Sequence, residues 1–278
     1  MVAHVQEAGA ALMLLILVTV VPGCGQQPAA ASQDSSGIAT TSRRDSGDSE
    51  VLRMDGWSNQ GSEMTFADVL ARFPIARKLI YNHTAPDDVV RVVEGDLTVD
   101  GPLVCDWNEG HGADGLFVTG SLTVRGPIIN RTLEGGPFLF VGGKTHAKAI
   151  LKGGAEFLFV GDAVVDDIVI GEYNDGVLRF GGNLTVPVAI ADDHHFEVAS
   201  FEAGSGLHGR WIDTFNTPHP WTSVLHPGIH VETDEDGNEH LNVMRELESR
   251  LRKGISVLRP DLPPVEEFPH PYKPSSFK

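Results

Sequence analysis

A segment repeated between Arg91 and Ile190 constrains the fold of this chain more than any other feature. Its five copies read RVVEGDLTVDGPL, LFVTGSLTVRGPI, LFVGGKTHAKAIL, LFVGDAVVDDIVI and LRFGGNLTVPVAI. Successive copies lie 25, 23, 19 and 20 residues apart when they are aligned on the column Gly95, Gly120, Gly143, Asp162 and Gly182. Repeats of about twenty residues are typical of solenoids, in which each unit buries its apolar face against the next unit.

Apolar and polar residues alternate within each copy, which is typical of β-strands and not of helices. The predicted fold is therefore all-β, a parallel β-helix (solenoid) of about five coils with short helical caps at both ends. In the fourth copy Asp166 stands at a core position. We expect a register shift there that turns Val165 and Ile168 inward and brings Gly161 into the glycine column in place of Asp162.

One column between two core columns points outward in this alignment and contains Phe117, Phe140 and Phe159. Stacked phenylalanines on an outer face are either covered by another part of the chain or form an exposed apolar patch that binds a partner. These three residues are therefore possible binding residues, with coverage by flanking segments as the alternative.

The first residues predict export. The stretch from Ala8 to Val21 is almost entirely apolar and has the length of the hydrophobic region of a signal peptide. It ends in VVPGC, which resembles the lipobox of bacterial lipoproteins, and that resemblance implies lipidation of Cys24. Gly25 and Gln26 follow the cysteine, which in a Gram-negative host implies delivery to the outer membrane. The alternative is a signal peptide that is cleaved without lipidation.

The segment after Cys24 contains few apolar residues and is rich in Ser, Ala, Gly and Gln, so we predict a flexible linker. Helices are predicted on both sides of the repeats, one capped by Thr65 and one that contains Leu247 and Leu251 and stops at Gly254. The predicted organisation is a signal peptide (1–23), a lipid-anchored linker (24–60), an N-terminal helical cap (61–90), the β-helix (91–200), a C-terminal cap with an amphipathic helix (201–259) and a proline-rich tail (260–278).

The chain has a formal net charge of −17. This charge argues against nucleic acid as a partner and against electrostatic attachment to anionic lipid, so any membrane attachment depends on the acyl chains at Cys24. Of the two cysteines, Cys105 would remain alone in the mature domain, without an internal disulfide.

Asp192, Asp193, His194 and His195 form the densest polar cluster in the sequence. Two carboxylates next to two imidazoles are compatible with a metal site or an acid/base pair, and equally with a turn held by side-chain hydrogen bonds. No further ligand is specified by spacing, and no catalytic signature is present. We therefore predict no catalytic residue, no metal and no cofactor, and keep the cluster as a possible binding site.

The repeat motifs GDLTVDG (95–101), GSLTVRG (120–126) and GNLTV (182–186) resemble those of bactofilins, the polymer-forming bacterial cytoskeletal proteins. The resemblance covers about 100 residues. It implies a right-handed β-helix and raises the alternative of end-to-end polymerisation. Bactofilins typically lack folded caps and a lipid tether, both of which are predicted for this chain.

These observations favour a lipid-anchored, extracytoplasmic β-helix of the bacterial envelope that acts as a structural module or binds a protein or glycan. The alternatives are a bactofilin-like polymer, and a carbohydrate-active enzyme or immunity-type binder. Many β-helices act on polysaccharides, but the outward column that begins with Thr98 and Thr123 contains no cluster of acidic or basic residues.

Overall fold

The computed structural model describes residues 57, 60–79, 85–107, 112–173, 175–198, 206–214, 221–233, 239–240 and 244–263. Within these residues the chain forms a parallel β-helix, as the repeats predict. The predicted signal peptide, Cys24, nearly all of the linker and most of the proline-rich tail lie outside the described residues.

The first face of the solenoid is a seven-stranded sheet in which parallel strands from successive coils lie side by side. Its strands, in spatial order, are β1 (Ser62–Thr65), β2 (Val89–Val93), β5 (Gly115–Val118), β7 (Phe138–Val141), β9 (Glu156–Phe159), β12 (Val177–Phe180) and β14 (His195–Val198). Only β1 runs antiparallel, along the outer edge of β2.

The second sheet is bent, so that it supplies the second and third faces of each coil. Its strands are β3 (Leu97–Val99), β4 (Leu103–Val104), β6 (Leu122–Asn130), β8 (Thr145–Lys152), β10 (Ala163–Val165), β11 (Ile168–Glu172), β13 (Leu184–Asp192) and β15 (Leu207–Asp213). The bend in β6 falls between Val124 and Pro127, where the pairing register with β8 shifts. A Cβ atom at Gly126 would lie 2.6 Å from the carbonyl carbon of Gly101, so this corner has no room for a side chain.

The interior of the coils is one continuous apolar core. Leu97 pairs with Leu122, and Leu184 joins the same ladder through the strands between them. All three leucines are buried in the same cluster. The central prediction from the repeats, that these residues stack on successive coils, is therefore confirmed.

The fourth coil is offset by one residue from the sequence alignment. Phe157, and not Leu158, pairs with Leu139 and Leu178, so that Phe157 and Phe159 point into the core. The expectation that Phe159 faces outward is therefore wrong. The strand reads EFLF with its four residues all buried, and alternation cannot reveal which face of such a strand points inward.

The same offset accounts for the turn and the strands that follow. Gly161 occupies the glycine column, stacked on Gly143, and Val165 lies in the core, as expected. Ile168 behaves differently, because it is buried on the outer side of the third face and not inside the coil.

An N-terminal segment covers the outer side of the first face. The helix α1 (Phe66–Arg72) begins at Thr65, whose hydroxyl accepts the backbone N–H of Asp68, and a 3-10 helix follows at Pro74–Lys78. Val69 from α1 packs in one cluster with Phe117 and Phe140, which are both buried. For these two residues the structure therefore shows coverage by a flanking segment and not an exposed stripe.

A C-terminal segment covers the outer side of the third face. The helix α2 (Met244–Arg252) buries Leu247 and Leu251 against outward-facing residues of the coils, and Gly254 ends it with a φ of +70°. The buried carboxylate of Asp167 accepts the Ser256 hydroxyl and ties this segment to the fourth coil. The remaining strands, β16 (Glu232–Thr233) and β17 (Glu239–His240), form a short hairpin. No helix in the described part of the chain has the length and apolar character needed to cross a bilayer.

Both helices lie along the faces of the solenoid and not across its ends. At the first end, β1 pairs with β2, and Trp57 is buried against the core with its indole N–H donated to the Val104 carbonyl. Trp57 lies within the predicted linker, so the ordered packing begins earlier than the sequence suggested. At the other end β14 and β15 pair in parallel with the fifth coil, so the coil continues past residue 200 as far as Asp213.

Candidate functional site

One concave site lies along the corner at which each coil passes from its third face to its first face. The cavity has a volume of about 410 Å³. It is lined by residues from four consecutive corners, namely Trp107, Asp114, Glu134, Gly135, Gly136, Phe138, Gly154, Ala155, Glu156 and Asp175. Because neighbouring coils are about 4.8 Å apart, such a site extends roughly 15 Å along the solenoid axis.

An aromatic side chain and a glycine backbone dominate the walls of this corner cavity. Trp107 is 47% exposed, although a tryptophan of a folded domain usually buries most of its surface. Gly135 and Gly136 have φ angles of +93° and +139°, which residues with side chains rarely adopt. A Cβ atom at Gly154 would collide with the Leu133 carbonyl oxygen. Gly135 and Gly136 are partly exposed at the cavity, whereas Gly154 is buried and allows neighbouring corners to pack closely.

Asn130 fixes the shape of the corner from inside the coil. Its side-chain amide donates to the Cys105 carbonyl at 2.9 Å and to the Asp106 carboxylate at 3.1 Å, and its oxygen accepts the Ala155 N–H at 2.9 Å. Asn130 and Asp106 are both buried. This one side chain therefore connects three consecutive corners, and its hydrogen-bonding capacity is satisfied within the protein.

Four carboxylates line the corner cavity, and they differ in their partners. Asp114 accepts the Val89 N–H at 2.9 Å, and Glu156 is buried with its carboxylate 3.6 Å from the Arg179 guanidinium. Glu134 and Asp175 are exposed, and within the described part of the chain they make no hydrogen bond or ion pair. The cavity is therefore acidic, with two carboxylates free to meet a ligand.

A buried lysine and a buried histidine lie behind this corner. Lys152 pairs with Asn130 on the neighbouring coil, and its side chain also points inward. Its amino group donates to the Gly153 carbonyl at 2.5 Å, and Nζ lies 5.8 Å from the Phe157 ring centre. Burial lowers the pKa of Lys152 well below its usual value, an effect that Glu156 partly offsets. His194 is also buried, and burial, followed by the Lys152 charge, lowers its pKa.

The structure separates the four polar residues that the sequence placed in one cluster. The His194 ring points inward and donates through Nδ1 to the Tyr173 carbonyl at 2.6 Å, whereas His195 bonds the Glu197 carboxylate at 2.8 Å. Asp192 accepts the Thr214 hydroxyl, and Asp193 forms a turn with a φ of +47°. These side chains have different partners and do not converge on one point.

No group of three or more His, Cys, Asp or Glu residues in the described ranges is arranged to hold a metal ion. A pair of carboxylates does meet on the third face, where Glu172 lies beside Asp192 on the next strand. Burial raises the pKa of Glu172 to about 7, and the neighbouring Asp192 carboxylate contributes to the increase. A change in the protonation of Glu172 near neutral pH would therefore alter the charge at the end of the third face.

A second, shallower groove lies on the second face, which neither flanking segment covers among the described residues. It has a volume of about 460 Å³, and its walls include Thr123, Thr145 and Val164. The outward ladder here runs Thr98, Thr123, His146 and Val164, because the offset of the fourth coil brings Val164 and not Val165 to the surface. His146 bonds Asp166 at 2.9 Å. The described residues of its lining include no Phe, Tyr or Trp.

The residues of the corner cavity were not singled out from the sequence. A signal for them is nevertheless present, because an acidic residue precedes or begins the first strand of each inner coil. The segments read ADGLFV, LEGGPFLF, GAEFLF and NDGVLRF, with Asp114, Glu134, Glu156 and Asp175 as the acidic residues. Their spacing from the strand varies by several residues, so only the folded coils bring them together.

Comparisons with family models, with curated proteins and with solved structures found no match for this chain. The fold and the cavity define the class of protein, a parallel β-helix with flanking helices on two faces and an acidic, tryptophan-bearing corner site.

Proposed function

We propose that this chain is a lipid-anchored, extracytoplasmic β-helix protein that acts as a binding module for a cell-envelope glycan. The observation that carries the proposal is the exposed Trp107 at the mouth of a glycine-lined, acidic cavity. Ligand sites are typically concave and combine an aromatic surface with a few polar groups that fix orientation.

The chemistry of this cavity suits a sugar ring. One face of a pyranose presents C–H groups that pack on an indole, while its hydroxyls are donors for carboxylate and carbonyl oxygens. Trp107 supplies the indole, and Glu134 and Asp175 supply acceptors that have no partner in the described part of the protein. The roughly 15 Å span of the four corners suits a short oligosaccharide better than a single sugar.

The anchor is the second part of the proposal and depends on the N-terminal sequence. A hydrophobic stretch that ends in VVPGC, followed by a polar segment, is the order expected of a lipoprotein leader, a lipidated cysteine and a tether. Two or more acyl chains are needed for stable attachment, because a single chain binds a bilayer only marginally.

The bactofilin-like alternative is weakened by the first end of the solenoid. Coil-on-coil stacking requires a free strand edge, but β1 pairs antiparallel with β2 and Trp57 packs beneath the first coil. Both features cover the first-face edge at this end and weigh in favour of a binding module over a filament subunit. Electron microscopy of the full chain tests this, since regular filaments would support the polymer.

Calorimetric titration of the full chain, purified in detergent, with envelope oligosaccharides tests the binding function. We expect Trp107→Ala to weaken binding at least about tenfold, equivalent to about 1.4 kcal/mol. Ile255→Ala is the matched control, because Ile255 is also 47% exposed but lies in the C-terminal segment. Equal affinity of the two variants and the parent would contradict the site. Release of shortened sugar products would show that the protein is a carbohydrate-active enzyme and not a binding module.

Metabolic labelling with a fatty acid tests the anchor. We expect the full chain to incorporate label and to sediment with membranes, and a Cys24→Ser chain to lose both properties. A Cys24→Ser chain that still partitions wholly with membranes would count against lipidation as the means of attachment.

A further inference from the structure

The corner cavity contains a charge pattern that narrows the class of glycan, and this inference rests on the proposed function. Its described lining includes four carboxylates and no Lys, Arg or His side chain. A neutral sugar needs only hydrogen-bond acceptors and donors, which a mixed set of polar side chains would supply equally well. Four acidic groups in one cavity instead favour a ligand that carries positive charge.

The carboxylates are not equally available to such a ligand. Asp114 is engaged by the Val89 N–H, and Glu156 is 3.6 Å from the Arg179 guanidinium. Glu134 and Asp175 have no partner within the described residues, and they come from the second and fourth of the four corners. A charged ligand would therefore be held at two points along the axis.

We propose that the cavity selects an oligosaccharide of amino sugars with free, protonated amino groups. One ring packs on Trp107, and ammonium groups on the chain pair with Glu134 and Asp175. The cavity and the exposed indole define the site, and the two free carboxylates decide between an amino sugar and its acetylated or neutral counterpart.

A lysine-rich peptide would offer the same ammonium groups, but it is the less suitable ligand. The exposed indole suits the C–H face of a rigid ring, whereas a peptide would need its own backbone paired. The glycines at positions 135, 136 and 154 are in corners and not in strands, so they provide no strand edge for a peptide. Binding of peptide is therefore an outcome of the test that would overturn the sugar assignment.

The expected size of the effect follows from exposed ion pairs. A typical pair of this kind contributes about threefold in affinity, and the factors multiply, so two pairs predict roughly tenfold discrimination. Because both carboxylates are exposed, this discrimination should fall as the salt concentration rises. Binding of a neutral sugar through the indole should change little with salt.

The experiment compares a glucosamine trisaccharide with the N-acetylated trisaccharide, which has the same length and ring but no charge. Titration of the full chain in detergent should give roughly tenfold tighter binding of the free amine. Glu134→Gln with Asp175→Asn should abolish the preference, because the amide oxygens still accept hydrogen bonds from sugar hydroxyls but carry no charge. Asp100→Asn is the control, since Asp100 pairs with Arg125 at a different corner.

The outcomes separate this inference from the proposed function. Equal or tighter binding of the N-acetylated sugar, lost in Trp107→Ala, would overturn the charge selection and leave the glycan-binding site intact. A trilysine peptide that binds as tightly as the amino sugar, in a manner insensitive to Trp107→Ala, would overturn the sugar assignment. No binding of either sugar would remove both the inference and its basis.

Discussion

Phe117 and Phe140 stack on neighbouring coils with ring centres 4.1 Å apart and an angle of 5° between the ring planes. Phe73 packs on the other side of Phe117, at 5.2 Å between ring centres. The outer surface of the first face is therefore an internal interface between the coils and the N-terminal segment. The segment stabilises the solenoid by burying a surface that would otherwise be an exposed apolar patch.

Truncation of Phe140 should destabilise this interface. Phe140→Ala removes a fully buried ring, and we expect the free energy of unfolding to fall by about 3–5 kcal/mol in denaturant titrations. Leu133→Ala, at an exposed position, should change it by less than about 0.5 kcal/mol. Similar stabilities for the two variants would mean that the N-terminal segment does not pack on this face.

Replacement of Lys152 by an apolar residue should stabilise the protein. The amino group of Lys152 is fully buried, and among the described residues it has one hydrogen-bond partner, the Gly153 carbonyl, so we expect Lys152→Met to raise the free energy of unfolding by about 1–4 kcal/mol at pH 7. Lys148→Met, on the same strand but less buried, is the control.

The gain from Lys152→Met should shrink as the pH rises. The pKa of Lys152 in the folded protein lies well below 10.5, so the unfolded chain binds a proton that the folded chain does not. Wild-type stability therefore increases as pH approaches 10.5 from below. A gain that stays constant from pH 7 to pH 10 would show that Lys152 is charged in the folded protein.

Glu172 should make the protein less stable as the pH rises, whereas Lys152 makes it more stable as the pH rises. Its pKa is raised to about 7 by burial and by Asp192, so the folded chain holds a proton between pH 4.5 and pH 7 that the unfolded chain releases. The stability contributed by this proton is fully present below pH 4.5 and is lost as the pH rises through 7. Glu172→Gln should therefore stabilise the protein at pH 8 more than at pH 5, as measured by thermal unfolding at both pH values. Glu94→Gln, at an exposed ion pair, should show no such difference.

Asn130 should be more important to stability than its size suggests. Asn130→Ala leaves the Cys105 carbonyl and the Ala155 N–H buried without partners, and each lost partner costs about 1–3 kcal/mol. We expect denaturant titrations to show a loss of about 3 kcal/mol or more, and weaker ligand binding because the corners lose their support. Asn183→Ala, at a more exposed corner, should cost under about 1 kcal/mol. Equal losses would contradict the role of Asn130.

The sequence predicted the coils where its copies are well aligned. Leu97, Leu122 and Leu184 follow glycines at constant spacing, and they stack in the structure as expected. The prediction failed in the fourth copy, because Phe157, Leu158 and Phe159 form an unbroken apolar run and either register buries apolar side chains. The turn residue Gly161 was the better guide there, since a corner without space for a Cβ atom tolerates only glycine.

The sequence predicted the candidate site less well than it predicted the coils. Asp192, Asp193, His194 and His195 are adjacent in the sequence, but alternation along the strand and the turn at Asp193 send their side chains in different directions. Trp107 and Asp175 are far apart in the sequence, and four coils bring them to one cavity.

The sequence by itself therefore determined the repeating coil, because strand alternation and corner glycines act within a few residues of each other. It also determined the capping of α1 at Thr65, a local hydrogen bond. Only the tertiary structure decided which faces the helices cover, which register the fourth coil adopts and which corner becomes concave. Those features depend on packing between residues far apart in the chain, and a one-residue change in register reverses the direction of every side chain on a strand.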